Sequence, residues 1–289
     1  MIAVVLVGGE GTRLRPLTHE TPKAMLPIAN RPFLEHQVEH LRRHGVDRII
    51  LACGYRPDAI RAHFGDALEY VVEPEPLGTG GAIAFAARGI EEAFVVANGD
   101  VLTDLDLTAL VGLHRDRAAR MTLALHPVDD PSRYGVVVTA PDGAVTAFVE
   151  KPAPGEVDAV TINAGTYVVE PDVLELIPTG RAVSVEYEVF PVLVGAGLYA
   201  GSFAGSWCDI GTPASYLAAN LGQMPAGGLI DPSAYVAEGA EVTDSVVGPR
   251  CRIEAGARVV ESVLLAGAVV AAGRTVQNRV VGVSGEPVW

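Results

Sequence analysis

Three glycines and two arginines occupy the loop that follows the first apolar run of the chain. Gly8, Gly9 and Gly11 come directly after that run, and Arg13 and Arg15 follow in the same loop. Because glycine has no Cβ, backbone N–H groups can approach an anion closely here, so the pattern indicates a phosphate-binding loop. The third glycine of the dinucleotide fingerprint and the Gly-Lys-Ser/Thr of a Walker loop are both missing. A plain tight turn explains the same glycines, and both interpretations stay open at this point.

Carboxylates follow two other segments. Asn98-Gly99-Asp100 ends an apolar run, and Asp209 stands far along the chain in a Trp-Cys-Asp-Ile-Gly-Thr-Pro sequence. A carboxylate at the carboxyl end of a parallel strand, near a phosphate loop, is well placed to hold Mg²⁺ between phosphate oxygens. Asp100 and Asp209 are therefore the candidate metal ligands. The alternative for Asp100 is a helix or turn cap.

The elements that must position these residues alternate along the first part of the chain. Apolar runs predict strands over 1–7, 46–53, 69–72 and 93–97, and helical spacing predicts helices over 33–41, 59–64 and 82–88. This order indicates an α/β, Rossmann-like domain with a sheet covered on both faces and ligands at the carboxyl ends of the strands. From Met121 the strands are joined by short turns, and Pro141-Asp142-Gly143 predicts a hairpin. The central sheet should therefore be mixed.

The chain changes character after a Gly-Pro-rich linker over 222–228. Aliphatic residues then recur at spacings of 6, 6 and 5, and Gly239, Gly256 and Gly273 repeat with the same period of 17. Three near-hexapeptides per period predict a short parallel β-helix of three coils, with the aliphatic residues inward and glycine at a corner. The predicted domains are therefore 1–222 and 229–283. A stack this short has exposed ends, so we expect it to pack on the first domain or on another subunit, and we expect a homo-oligomer.

Composition excludes several classes of partner. With 35 acidic against 21 basic residues, the net charge of −14 disfavours nucleic acid and an anionic membrane surface. The three cysteines lack the spacing of a disulfide framework or zinc ribbon, no apolar run reaches the length of a membrane span, and no leader is recognised, which predicts a cytoplasmic protein. The only lysines are Lys23 and Lys151. Both lie in candidate site segments, where a compact ammonium suits phosphate.

Seven motifs in order resemble the signature of the sugar-1-phosphate nucleotidyltransferases. They are Gly-Gly-x-Gly-Thr-Arg-Leu-x-Pro-Leu-Thr from Gly8, Pro22-Lys23 with Leu26-Pro27, Pro76-Leu-Gly-Thr-Gly-Gly81, Asn98-Gly-Asp100, Glu150-Lys-Pro152, Asn163-Ala-Gly165 and Asp209-Ile-Gly-Thr-Pro213. The resemblance covers residues 1 to 220, and a left-handed β-helix tail is common in this family. Gly78-Thr-Gly-Gly81, the segment from Ser184 to Pro191 and the tail most resemble mannose-1-phosphate guanylyltransferases.

The resemblance implies a role for each matching residue. Arg13, Lys23 and Asp100 would be catalytic, and Asp100 and Asp209 would bind Mg²⁺ as the cofactor. The nucleotide would be bound by Leu6, Gly8, Gly9, Gly11, Thr12, Arg13, Glu73, Pro76, Gly78, Thr79 and Asn98. The sugar phosphate would be bound by Gly99, Tyr134, Gly135, Glu150, Lys151, Asn163 and Gly165.

The implied reaction joins a nucleoside triphosphate and a sugar 1-phosphate with release of pyrophosphate. GTP and mannose 1-phosphate are the first expectation. A heptose 1-phosphate, a cyclitol phosphate, or dTTP with glucose 1-phosphate are open alternatives, because base and sugar choice depend on a few contacts.

Other classes of function fit isolated features. His36-x-x-Glu39-His40 matches a zinc-protease spacing, and the alternative interpretation is a solvated helix face. Asp104 and Asp106 resemble the D-x-D motif of glycosyltransferases, and the alternative interpretation is that one of them caps a helix. The β-helix suggests an acyltransferase but contains no histidine to act as a base. A catalytically silent subunit of the same fold is the remaining alternative.

Overall fold

A computed structural model describes residues 1–54, 57–153 and 155–288. Within it the chain forms two compact units. The first unit contains Met1–Gly9 and Gln37–Trp207, and the second contains Glu10–His36 and the chain from Cys208 onward. Each unit is described separately. In the described residues, no helix has the length and apolar character that crossing a membrane requires.

Apart from the repeats, the residues that the structure describes form six α-helices, several short turns of helix and thirteen strands. The α-helices are α1 (Phe33–Arg43), α2 (Pro57–Phe64), α3 (Gly78–Ala86), α4 (Leu107–Asp116), α5 (Phe190–Leu193) and α6 (Pro213–Gln223). Turns of 3₁₀-helix cover Thr12–Leu14, Leu17–His19, Lys23–Met25, Gly65–Ala67, Pro131–Arg133 and Pro171–Leu176, and a π-helical turn covers Val185–Val189. The strands are β1 (Ile2–Leu6), β2 (Pro27–Ile28), β3 (Arg31–Pro32), β4 (Arg48–Cys53), β5 (Glu69–Val72), β6 (Phe94–Asn98), β7 (Val101–Thr103), β8 (Met121–Pro127), β9 (Gly135–Thr139), β10 (Val145–Glu150), β11 (Thr161–Val169), β12 (Leu198–Ser202) and β13 (Trp207–Asp209).

A nine-stranded mixed sheet forms the centre of the first unit. Its main path runs β10-β9-β11-β6-β1-β4-β5, and β8 pairs with β11 and β12. Strands β6, β1, β4 and β5 are parallel, whereas β11 runs antiparallel to β6 and β8. The predicted α/β class with a mixed central sheet is confirmed, and so is the hairpin of β9 and β10. The parallel strands end beside the segments predicted to bind substrate.

Two predicted boundaries were wrong. Helix α3 begins at Gly78 rather than Ala82, so the second glycine-rich segment is the first turn of the helix. Glycine is a poor helix former in isolation, but here its small size lets the segment pack against Val183, whose carbonyl accepts from Gly80 N–H at 2.8 Å. Gly222, expected in the linker, lies inside α6.

The core of the first unit is apolar on both faces of the sheet. Val4, Phe94, Val96 and Tyr167 are completely or almost completely buried, and Phe190 packs edge-on against the Tyr167 ring at 5.4 Å. The continuous apolar runs that predicted β1 and β6 reflect this double coverage. The core therefore fixes the strand ends that carry the candidate site.

The repeats form a left-handed parallel β-helix in the second unit. Its strands are β14 (Leu229–Ile230), β15 (Tyr235–Val236), β16 (Glu241–Thr243), β17 (Val246–Val247), β18 (Arg252–Ile253), β19 (Arg258–Val260), β20 (Val263–Leu264), β21 (Val269–Val270), β22 (Thr275–Gln277) and β23 (Val280–Val281). They stack in three parallel sheets, β14-β17-β20-β23, β15-β18-β21 and β16-β19-β22. The prediction of three coils with inward aliphatic residues is confirmed for the interior of the stack. Ile230 differs because it lies on the first coil and is 44% exposed.

Two corners of the β-helix differ in the residues that form them. Gly239, Gly256 and Gly273 have φ of 76°, 69° and 69°, as their period predicts. A second corner uses Asp244, Glu261 and Asn278, which have φ of 44°, 45° and 50°. Sequence reasoning missed this corner because its residue type is not constant. Asn and Asp tolerate the left-handed region better than most residues, whereas Glu261 is strained there.

Buried serines connect the coils beside that second corner. Ser245 Oγ donates to Thr243 O at 2.8 Å and accepts from Ser262 N–H at 3.1 Å. Ser262 Oγ in turn donates to Val260 O at 2.7 Å and accepts from Arg279 N–H at 3.2 Å. Both serines are completely buried. These linked serines, the serine ladder, thus form hydrogen bonds with backbone groups that the corner leaves outside the strands.

The stack is covered by neighbouring parts of the second unit. Asn30 Nδ2 donates to Val247 O at 2.9 Å, and α6 packs beside β20. At the far end, residues after β23 fold back, so that Val288 N–H donates to Val280 O at 2.7 Å and Arg274 pairs with Glu286 at 3.0 Å. Helix α6, which precedes the repeats, thus covers part of the stack. The expectation that the stack packs on the first domain or on another subunit stays a prediction.

Replacing Ser262 by alanine should destabilise the β-helix. The change removes one donor and leaves the partly buried Arg279 N–H without its acceptor, which costs about 0.5–1.5 kcal/mol. Urea unfolding followed by circular dichroism measures the loss. Ser284→Ala is the control, because that serine is exposed and accepts only from Glu286 N–H at 3.3 Å. Equal stability of the two variants would show that the serine ladder is not stabilising.

Candidate active site

The end of β1 places its glycines beside two other segments of the first unit. Gly99 N–H donates to Leu6 O at 2.9 Å, and a Cβ on Gly99 would overlap that carbonyl. A Cβ on Gly8 would lie 3.3 Å from Glu73 Oε1, while Glu73 N–H donates to Cys53 O at 2.9 Å. Leu6, Gly8, Glu73 and Gly99 are thus brought together. Gly9 is exposed at the same strand end, and Pro76 is exposed in the segment before α3.

The remainder of the first loop belongs to the second unit. Gly11 has φ of 63°, and Thr18 Oγ1 donates to its carbonyl at 2.9 Å. A Cβ on Gly11 would lie 3.1 Å from Lys23 Cβ, so the loop folds directly over that lysine. Thr12 and Arg13 are exposed on the 3₁₀ turn that follows. The loop therefore brings an exposed guanidinium and the Lys23 ammonium onto one small segment.

Asp209 joins these cations in the second unit. Lys23 Nζ lies 3.9 Å from Asp209 Oδ1, and both side chains are mostly buried. A Cβ on Gly211 would lie 2.8 Å from both Arg13 and Asp209 Oδ1. Thr212 then caps α6 by accepting from Ser215 N–H at 3.2 Å, with Pro213 in the first turn. The Asp-Ile-Gly-Thr-Pro motif thus turns the chain into a helix directly beyond the carboxylate.

The segment at Gly78 and Thr79 is tied to a distant part of the first unit. Gly78 has φ of 71°, and a Cβ there would lie 2.5 Å from Val183 O. Thr79 Oγ1 donates to Glu186 Oε2 at 2.7 Å and accepts from Val185 N–H at 2.9 Å. The threonine hydroxyl is therefore held within the protein. Its predicted contact with the nucleotide stays a prediction.

Asn98 and Asp100 lie at the end of β6. Gln37 Nε2 donates to the carbonyl of Asn98 at 2.6 Å and to that of Val101 at 3.1 Å, which holds the turn that carries Asp100. The Asn98 side chain lies against Gly165, where a Cβ would stand 2.7 Å from Asn98 Nδ2. Gln37 was not among the residues expected at the site. No local pattern distinguishes it from other polar residues of α1.

The predicted sugar-phosphate residues lie together on the hairpin of β9 and β10. A Cβ on Gly135 would stand 2.6 Å from Glu150 Oε2 and 2.5 Å from Phe148 Cζ, so only glycine leaves room for the carboxylate. Lys151 N–H donates to Tyr134 O at 3.0 Å. The Lys151 ammonium, which is 61% exposed, lies 3.3 Å from Glu150 Oε1. Burial raises the pKa of Glu150, the Lys151 ammonium opposes that rise, and the negative charge of Glu186 adds to it.

Asn163 and Gly165 form an irregularity in β11. Asn163 Nδ2 donates to the Tyr167 hydroxyl at 3.0 Å, and Asn163 Oδ1 accepts from Gly165 N–H at 3.0 Å. The register with β8 shifts between Asn163 and Tyr167. Trp207 Nε1 donates to the carbonyl of Ala164 at 2.9 Å, and its ring contacts Tyr134 edge-on at 5.4 Å. The irregularity thus directs the Asn163 side chain to the Tyr167 hydroxyl.

Two family comparisons match the two sequence patterns. Residues 2–224 match the Nucleotidyl transferase family, and residues 226–284 match the family described as GlmU-like, C-terminal hexapeptide. The chain belongs to the nucleotidyl transferase family. The predicted resemblance to sugar-1-phosphate nucleotidyltransferases is thereby confirmed.

Relatives of this nucleotidyl transferase have one recurring name. Mannose-1-phosphate guanylyltransferase of Mycobacterium tuberculosis is 46% identical over 74% of this chain, which spans only 62% of that protein. Mannose-1-phosphate guanylyltransferase 1 of Arabidopsis thaliana is 36% identical, over 98% of this chain and 86% of its own. The crystal structure of HddC from Yersinia pseudotuberculosis has a TM-score of 0.66 at 33% identity, covering 76% of this chain and 97% of HddC. The mycobacterial relative and HddC thus match 74% and 76% of this chain, whereas the plant relative matches 98% of it.

Nucleotidyl transferases of this family generally use a divalent metal. In the residues that the structure describes, no group of three or more His, Cys, Asp or Glu side chains is arranged to hold an ion. One or two carboxylates are enough to hold Mg²⁺, since that ion keeps several waters and takes phosphate oxygens as further ligands. Asp100 and Asp209 have the donor chemistry for it. Their assignment as ligands stays a prediction.

The features that suggested other chemistry have structural roles in this nucleotidyl transferase. His36 Nε2 lies 3.0 Å from Ile28 O, within the second unit. Asp106 caps α4 by accepting from Ala109 N–H at 3.0 Å, and Asp104 accepts from Ser206 N–H. A helix cap and a loop anchor account for the two carboxylates of the D-x-D sequence.

His40 should make the free energy of unfolding depend on pH. Burial, with the nearby charges of His44 and Arg43, lowers the pKa of His40 to about 4, while Asp104 acts weakly in the opposite direction. The unfolded chain binds a proton near pH 6.5 whereas the folded chain does not until about pH 4, so stability falls as pH drops between these values. Between pH 7.5 and pH 5 we expect a loss of about 2 kcal/mol attributable to this residue.

Urea unfolding of His40→Leu at both pH values measures that contribution. The variant should lose less stability than wild type on acidification. His63→Leu is the control, because it removes the imidazole of an exposed histidine in α2. An identical pH dependence in His40→Leu and wild type would contradict the assignment.

Proposed function

We propose that this nucleotidyl transferase transfers guanylate from GTP to mannose 1-phosphate, forming GDP-mannose and pyrophosphate. The observation that carries the proposal is the grouping of Arg13, Lys23 and Asp209 around Gly211, which combines two cations with a carboxylate. The names of the mycobacterial and plant relatives support the choice of GTP and mannose 1-phosphate. The proposed catalytic part is residues 1–222, with the β-helix of 229–283 as a second domain.

The reaction needs positioning and charge stabilisation more than proton transfer. An oxygen of the sugar phosphate attacks the α-phosphorus in line, a new P–O bond forms, and the bond to the β-phosphate oxygen breaks with its electron pair leaving on pyrophosphate. The attacking phosphate is already ionised, so the protein need not supply a general base. Because both reactants are anions, bringing them together is a large part of the barrier, and fixed cations lower it.

The proposed roles follow from where each side chain lies. Arg13 and Lys23 would neutralise the triphosphate, with Lys23 stabilising charge as pyrophosphate leaves. Asp100 and Asp209 would hold Mg²⁺, which supplies Lewis-acid stabilisation of the phosphate oxygens. Leu6, Gly8, Gly9, Gly11, Thr12, Glu73, Pro76, Gly78, Thr79 and Asn98 would surround the nucleotide, and Gly99, Tyr134, Gly135, Glu150, Lys151, Asn163 and Gly165 would hold the sugar phosphate.

Two further proposals concern the setting of the enzyme. The buried Cys53 and Cys251 are free thiols, and burial raises the pKa of both, which supports function in the reducing cytoplasm. Tyr235 and Val269 are 53% and 39% exposed on one sheet of the β-helix, which supports a homo-oligomer formed through that surface.

The decisive experiment measures pyrophosphate release with Mg²⁺, each of the four nucleoside triphosphates and a panel of sugar 1-phosphates. We expect the highest kcat/KM with GTP and mannose 1-phosphate. Release with a heptose or cyclitol phosphate, or with dTTP and glucose 1-phosphate, would redirect the substrate assignment. Absence of release with every pair would favour a silent subunit, and transfer from a finished nucleotide sugar would favour a glycosyltransferase.

The two lysines should have separable effects on this activity. Lys23→Ala should lower kcat by about 10²-fold with an unchanged circular dichroism spectrum, because it removes stabilisation of the developing charge. Lys151→Ala should mainly raise KM for the sugar phosphate. Unaltered turnover in Lys23→Ala, or an equal fall in kcat for both variants, would refute the role given to Lys23.

A further inference from the structure

Glu186 connects the first turn of α3 to the π-helical turn within the first unit. Its Oε2 accepts from Thr79 Oγ1 at 2.7 Å and from Ser184 Oγ at 2.6 Å. Both donors are hydroxyls, and one of them belongs to the segment predicted to contact the nucleotide. A carboxylate that accepts two hydroxyls at short distances fixes the orientation of both.

The backbone around these side chains is equally constrained. Val183 N–H donates to Leu77 O at 2.8 Å, and Gly80 N–H donates back to Val183 O at 2.8 Å. Together with the bond from Val185 N–H to Thr79 Oγ1, these contacts join 77–80 to 183–186 along four residues. The first turn of α3 therefore cannot shift without moving Glu186.

We propose that Glu186 is a positioning residue that orients Thr79 for the nucleotide. This inference rests on the proposed function, since it assigns no new reaction. It adds a residue that the motif positions do not include. Glu186 lies in the segment from Ser184 to Pro191, whose resemblance to relatives assigns it no role.

Glu188 provides a matched control from the same π-helical turn. It receives a hydrogen bond from Ser184 N–H at 3.2 Å and pairs with Arg181, away from Thr79. A Glu→Gln change at either position removes one charge and keeps a carbonyl acceptor. Only position 186 carries a carboxylate that accepts from Thr79.

The experiment compares KM for GTP and kcat of five variants with wild type. Glu186→Gln should keep KM for GTP within about twofold, because its amide oxygen still accepts from Thr79 and Ser184. Glu186→Ala and Thr79→Val should each raise KM for GTP about 5- to 10-fold, and the double variant should be no worse than about twofold beyond either one. Glu188→Gln should match wild type in both measurements.

Each outcome decides the proposal. A KM for GTP raised as far in Glu186→Gln as in Glu186→Ala, additive losses in the double variant, or the same rise in Glu188→Gln would overturn it. Isothermal titration with Mg-GTP measures the Thr79 effect without turnover. If wild type is inactive with every substrate pair, the proposed function fails, while GTP binding weakened about 5-fold or more in Glu186→Ala but not in Glu188→Gln would still uphold the link to Thr79.

Discussion

The candidate site depends on backbone segments that approach more closely than a side chain permits. Gly99 meets the Leu6 carbonyl at the end of adjacent parallel strands, and Gly135 makes space for the Glu150 carboxylate. At Gly78 the start of α3 lies against Val183 O. Each approach brings a charged or polar group to the strand ends, and a methyl group at any of them would displace that group. The motif glycines therefore act mainly by allowing contact between distant segments.

The distribution of charged residues explains how an acidic protein can bind the anionic substrates proposed for it. The net charge of −14 is spread over the chain, whereas Arg13, Lys23 and Lys151 lie on motif segments. Lys23 lies near Asp209 at 3.9 Å, and Lys151 lies near Glu150 at 3.3 Å. Pairing each ammonium with one carboxylate fixes its position without removing its ability to meet a phosphate. The global charge excludes nucleic acid more strongly than it excludes a nucleotide.

Sequence reasoning anticipated what depends on local periodicity. The apolar runs of β1 and β6, the hairpin of β9 and β10 and the 17-residue coils of the β-helix follow from spacing alone. It missed what depends on contacts between distant residues, such as Thr79 with Glu186 and Gln37 with the Asn98 carbonyl. It also placed the start of α3 too late, because helix propensity penalises glycines that tertiary packing requires. The motif positions could be predicted from resemblance, but the side chains that orient them could not.

Hydrogen–deuterium exchange with added substrates tests most directly the proposal that the motif segments bind GTP and mannose 1-phosphate. Mg-GTP should slow exchange in peptides covering 8–15 and 73–81, and mannose 1-phosphate should slow exchange in those covering 134–136, 150–151 and 163–166. Peptides from 229–283 should be unchanged by either ligand. Protection confined to the β-helix, or absent from the peptides at 8–15 and 163–166 under saturating ligand, would contradict the account.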